Sequence, residues 1–107
     1  MLPTETDASN ALEYLAQTDE QLAAELGFVE ACKHGVKVAR SMAFLEAAGT
    51  VAEREAKAET SADVVEKSDE LIRAVTDYET TKTKRKRAEL VIEVWRSLNA
   101  NQRRGNV

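Results

Sequence analysis

Cysteine is nearly absent from this 107-residue chain: Cys32 stands alone, which excludes an intramolecular disulfide and suits a reducing compartment. Proline occurs once, at position 3, and the glycines are confined to positions 27, 35, 49 and 105, so breaks in regular structure are expected at few points. Aromatic side chains are equally scarce: Tyr14, Phe28, Phe44, Tyr78 and Trp95. Ala, Val and Leu must therefore fill the interior, and a small chain with so thin a core often completes itself by association. No apolar run reaches the ~18–20 residues of a membrane span, and "MLPTETDASN" lacks the basic and apolar regions of a secretory signal. The expectation is a soluble cytoplasmic protein with no membrane partner.

Catalytic patterns are missing as well. The sequence holds no glycine-rich phosphate loop, no G-x-S-x-G elbow and no nucleophile with an identifiable base. Its carboxylates are numerous, but a helix rich in Glu displays them to water, where nothing raises one pKa for acid–base work. His34 is the only histidine; Glu30 precedes it by four rather than three residues, and with Cys32 it makes too few ligands for a zinc site. It groups instead with Lys33, Lys37 and Arg40 as a minor basic patch on a solvated face. No enzyme, cofactor or metal is expected.

What the chain has in quantity is helical patterning. Ser9 or Asn10 can cap a first helix with Glu13 at the reciprocal position, and Thr18 with Gln21 offers a second start. Leu12, Leu15, Leu22, Leu26, Val29, Cys32, Val36, Ala39 and Ala43 then follow mostly at helical steps. Gly27 and Gly35 lie inside this stripe and raise the prospect of a helix in two pieces. In "EAAGTVAERE", Gly49 suits the left-handed end of a helix, and Thr50 with Glu53 forms a capping box for the next one. A second stripe runs through Val64, Ser68, Leu71, Val75, Tyr78, Arg85, Ala88, Ile92, Trp95 and Leu98, with Ser61 in "ETSADV" able to cap a fresh start. Glu53 with Lys57, and Asp69 with Arg73, sit at the favourable i,i+4 spacing. These signals describe an all-α fold: a long antiparallel helical hairpin over residues 10–99 with its turn near 49–50, a flexible tail at 1–9 and a frayed one at 100–107. Two such arms leave uncovered sides, so a homo-oligomer, most simply a dimer forming a four-helix bundle, is expected.

At "GTVAEREAKAE" and again at "YETTKTKRKRAELVIEVWRSLNANQRRG" the chain resembles a group of small helical bacteriophage proteins, often encoded near phage DNA recombination or replication functions. The resemblance covers about the last two-thirds of the chain. It implies a phage origin, a bacterial host cytoplasm and a supporting role in phage DNA metabolism. The group offers no catalytic motif to transfer.

The charge is uneven. Residues 82–104 hold eight basic side chains against two acidic ones, a net +6, which leaves −10 for the rest of a chain whose total is −4. Two readings of the basic run stand. In the first, Lys82, Lys84, Arg85, Lys86, Arg87 and Arg96 contact the phosphates of a nucleic acid, with Trp95 or Tyr78 stacking on bases. In the second, an antiparallel hairpin places residue i opposite residue 99 − i, so that 82–87 lie over 12–17, near Glu13, Asp19 and Glu20, and the charges fix register. Tyr78, Ile92, Trp95 and Leu98 are expected to form the association surface, since interfaces favour a tryptophan anchor. The function expected is that of a non-catalytic interaction protein, with nucleic-acid binding as the alternative and inhibition of a host protein as a third.

Overall fold

A computed structural model describes residues 2–105. Among them there is no strand, and the fold is an all-α helical hairpin built from three helices: α1 (Glu5–Glu46), α2 (Val51–Glu59) and α3 (Ala62–Gly105). Helix α1 is one arm; α2 and α3 follow each other along the second.

The first arm starts earlier than Asn10 because Thr4 and Asp7 cap it reciprocally. The Asp7 amide donates to Thr4 Oγ1 at 3.2 Å, and the Thr4 amide donates to Asp7 Oδ2 at 2.8 Å. Residues 5–9, assigned to a tail by the sequence pattern, are therefore helical, and Ala8 is buried. At the other end, residues 100–105 belong to α3. Helix α1 also runs unbroken through Gly27 and Gly35, and Thr18 starts nothing: its hydroxyl donates to the Tyr14 carbonyl at 2.7 Å within the helix. It is the second arm that breaks. Ser61 caps α3 by accepting from the Val64 amide at 3.2 Å, while the Thr60 hydroxyl donates to the Ala56 and Lys57 carbonyls as α2 ends.

The turn between the arms behaves as its sequence signals. Gly49 has φ +119°, a region closed to side chains by sterics, and a Cβ there would strike the Glu53 side chain. Thr50 caps α2 through a 3.2 Å bond from the Glu53 amide. Helix α1 has no basic residue in its last turn, and α2 supplies the missing cations. Arg54 Nε donates to the Phe44 carbonyl at 3.3 Å with its guanidinium 4.5 Å from the Phe44 ring centre, and Lys57 Nζ donates to the Ala48 carbonyl at 2.7 Å. Lys57 is thus drawn to the turn and forms no pair with Glu53.

The chain divides into two compact units, one of residues up to Ala23 together with those from Glu79 onward, the other of Ala24–Tyr78. In the second unit, Val29, Cys32 and Ala74 form the buried centre, with Leu71 and Tyr78 packed on it and Val36, Ala39, Ala58 and Val64 also buried. In the first unit the buried residues are Ala8, Ala11, Thr18, Thr81 and Ala88. Along α1 and α3 both sets fall mostly at steps of three, four or seven, the spacing of a coiled-coil seam. The residues at these positions are small, and Val64 is the largest side chain buried to the last 2%.

Ala74, buried in the centre of the second unit, has little room for added volume. Ala74→Leu is expected to destabilise the hairpin by about 1–3 kcal/mol through overpacking. Chemical denaturation followed by circular dichroism would check it, and an unchanged midpoint would show that the arms can part to admit the side chain.

Candidate functional site

The basic run from Lys82 to Arg87 lies wholly inside α3, and helical winding scatters it. Successive residues in a helix point about 100° apart, so five cations within six positions cannot share a face. Arg85 points into the seam of the first unit, with its side chain 15% exposed. Its Nη1 donates to the Leu15 carbonyl at 2.8 Å and to Thr18 Oγ1 at 2.7 Å, and its Nη2 donates to Asp19 Oδ1 at 2.6 Å. Beside it, Gln21 Nε2 donates to Thr81 Oγ1 at 3.4 Å. Three of the five guanidinium N–H groups are thereby engaged with α1. Arg85 is thus withdrawn from any nucleic-acid surface.

Lys82 is half-buried and has a polar partner within the chain. Lys84 and Arg87 emerge on one flank, in a shallow groove of about 640 Å³ shared with Asp7, Asn10 and Tyr14 and floored by Val91 and Val94. Lys86 and Arg96 emerge on a different patch, beside Leu12, Glu89 and Glu93. The basic run therefore makes two small cationic patches, the second diluted by two carboxylates. Of the acidic residues expected opposite it, Asp19 pairs with Arg85, and neither Glu13 nor Glu20 takes a cation: Glu13 accepts from Gln17 at 3.1 Å.

The register explains part of this. Arg40 pairs with Glu59 at 2.6 Å, positions that sum to 99, as expected for a turn at 49–50. Past the Thr60–Ser61 break the pairs Cys32–Glu70 and Gln21–Thr81 each sum to 102. Past the break the facing positions are offset by about three residues, close to one helical turn, and Arg85 meets Leu15, Thr18 and Asp19 where the unbroken register would give Tyr14.

Of the residues expected to form an association surface, Tyr78 packs on the Val29–Cys32–Ala74 centre, and Ile92, Trp95 and Leu98 are half-buried. Ile92 and Trp95 follow Arg85 and Ala88 at the seam spacing, seven residues on in each case, so the chain itself covers part of them. The exposed large apolar side chains are others: Leu12, Leu26, Phe28, Met42, Leu45, Ile72 and Leu90 among them. The stripe read along α3 included Arg85 and Ala88 but passed over the buried Ala74 and Thr81 and took in Val75, which is exposed, because small and polar residues were not expected inside. The "TETD" capping box at 4–7 was also legible as S/T-x-x-D/E, and it was the cue to an earlier helix start.

Among the described residues no group of three or more His, Cys, Asp or Glu is placed to hold a metal, and no helix is long and apolar enough to cross a membrane. Comparison with protein-family models, with curated proteins and with solved structures yields no match.

Burial pushes the Cys32 thiol above its ordinary value of 9.0; the nearby Glu70 carboxylate, 4.0 Å from Sγ, pushes the same way, and Lys67 opposes. A thiol raised in the folded state contributes stability that is fully present below its unfolded value and is lost as pH climbs through the folded one. Denaturation midpoints of the native chain are therefore expected to fall more steeply above pH 9 than those of Cys32→Ala; parallel curves would show that the thiol titrates alike in both states. For the seam cation, Arg85→Ala is expected to cost about 1.5–3 kcal/mol, since it strips charge-assisted bonds from a buried carbonyl and hydroxyl. Asp19→Asn, at a carboxylate 67% exposed, is expected to cost less than about 1 kcal/mol. Equal losses in urea titrations would mean that the ion pair, not the seam bonds, holds the register.

Proposed function

We propose that this chain is a non-catalytic interaction protein that associates with further copies of itself through the flanks of its hairpin. The observation that carries the reading is an inversion of size. The fully buried positions are all Ala, Thr, Cys or Val, whereas Phe28, Met42, Leu45, Ile72 and Leu90 are each more than half exposed. The folded chain leaves 7917 Å² accessible, about 2,000 Å² more than a folded monomer of this mass typically does. Apolar surface of that kind, distributed in patches along helices, is what partner helices cover. The resemblance at residues 49–59 and 78–105 to small phage proteins supports the narrower role of an accessory to phage DNA recombination or replication, acting in the host cytoplasm.

A second reading, direct nucleic-acid binding, is favoured by one observation. Lys84, Lys86, Arg87 and Arg96 are exposed and enter no ion pair within the chain. Four cations on two patches would release few counterions, so binding of this kind would be weak, with only a shallow dependence on salt.

Sedimentation equilibrium of the whole chain over a dilution series tests the first reading. Masses of twice 11.8 kDa or more that fall on dilution are expected; a constant monomer mass at all concentrations would overturn it. Anisotropy of a labelled single-stranded oligonucleotide across a salt series tests the second, which is overturned if no binding appears at low salt.

A further inference from the structure

The groove beside Lys84 and Arg87 belongs to the first unit, and a flank of the second unit matches it in both apolarity and charge. That flank has two rows. On α1, Phe28, Val38, Met42 and Leu45 lie at helical spacing, are all exposed, and are joined on the same face by Ala31 and Gly35, so this row carries no charge at all. On α3, Glu66, Glu70, Arg73 and Asp77 follow at steps of four, three and four, a row of net charge −2. The two rows are neighbours: Cys32, one turn after Phe28, donates from Sγ to Glu70 Oε1. Lys67 reaches the same Glu70 at 3.8 Å, while Glu66 and Asp77 stand exposed with no ion pair within the chain.

The groove is the counterpart. Its floor is Val91, Val94 and Leu90, its edge carries the two cations, and its one acid, Asp7, is engaged at the α1 cap. Apolar row meets apolar floor, and carboxylates meet unpaired cations.

We propose that the Lys84–Arg87 groove of one copy docks the Phe28–Leu45 flank of a second copy, with Glu66 and Asp77 of that copy pairing with the two cations. This rests on the self-association reading above and names its surfaces. Each chain carries both halves of the contact, so the interface is one between identical copies. The apolar rows supply the buried area, and the charges select this partner and orientation over others. The basic run then acts neither on nucleic acid nor wholly within its own hairpin. Arg85 sets the intrachain register, and Lys84 and Arg87 set the register between chains.

A charge-swap experiment tests this with the full chain. Sedimentation equilibrium is run on the wild type, on K84E/R87E, on E66K/D77K, and on an equimolar mixture of the two variants, with circular dichroism confirming helicity. Each variant alone is expected to dimerise about tenfold or more weakly than the wild type, because like charges meet across the contact. The mixture is expected to regain dimers, since the charges that meet are again opposite in sign. A dimeric wild type whose variants and mixture all assemble equally would overturn this pairing while leaving self-association intact. A wild type that stays monomeric at all concentrations would overturn both. If such a monomer also bound a labelled oligonucleotide, and K84E/R87E did not, the groove would be a nucleic-acid contact instead.

Discussion

The closeness of the two arms is the constraint from which the rest follows. Ala8, Ala11, Ala39, Ala74 and Ala88 at seam positions let the helix backbones approach, and the fully buried positions hold no side chain larger than valine. Such a seam removes little apolar area from water per residue, so it is a weak source of stability and a poor hiding place for large residues. Phe28, Met42, Leu45, Ile72 and Leu90 are left on the flanks. The same narrowness makes Arg85 costly to place and hard to move. Its guanidinium fits only where Leu15 offers a carbonyl, Thr18 a hydroxyl and Asp19 a carboxylate, and sliding the arms by one residue would strand it.

Register has a second source at the far end of the hairpin. Helix α2 is short and makes its strongest polar contacts with the end of α1: Arg54 and Lys57 satisfy carbonyls that α1 lacks the cations to satisfy, and Glu59 holds Arg40. The break at Thr60–Ser61 lets α2 serve as this cap while α3 runs on along the arm. The cost is one turn of offset between the arms, and that offset decides which acid Arg85 meets. A local backbone event near residue 60 thus determines an ion pair at residue 85.

Much of the hairpin was legible from local chemistry. Gly49, Thr50 and Ser61 mark their turns because a positive φ, and orphan amides at a helix start, can each be met by few residue types. The continuity of α1 through Gly27 and Gly35 was less legible, since a glycine lowers helix propensity whether or not packing on either side overrides it. The candidate surface was legible only in part. A run such as "KTKRKR" has a definite charge, but its meaning depends on rotation about the helix axis, and rotation is set by the seam. Tyr78, Ile92 and Trp95 look like a partner-seeking stripe when read along the chain, yet Tyr78 packs on the buried centre of its own hairpin and the other two are half-buried.

Composition and spacing suffice for the helical class, the hairpin turn and the polarity of charge between early and late segments, because these depend on propensities and caps spanning a few residues. The burial of Arg85, the division of the remaining cations between two patches, and the choice of which apolar residues stay outside depend on distances between residues about forty to seventy apart in sequence. Those distances exist only once the two arms have packed, and no local pattern in either arm contains them.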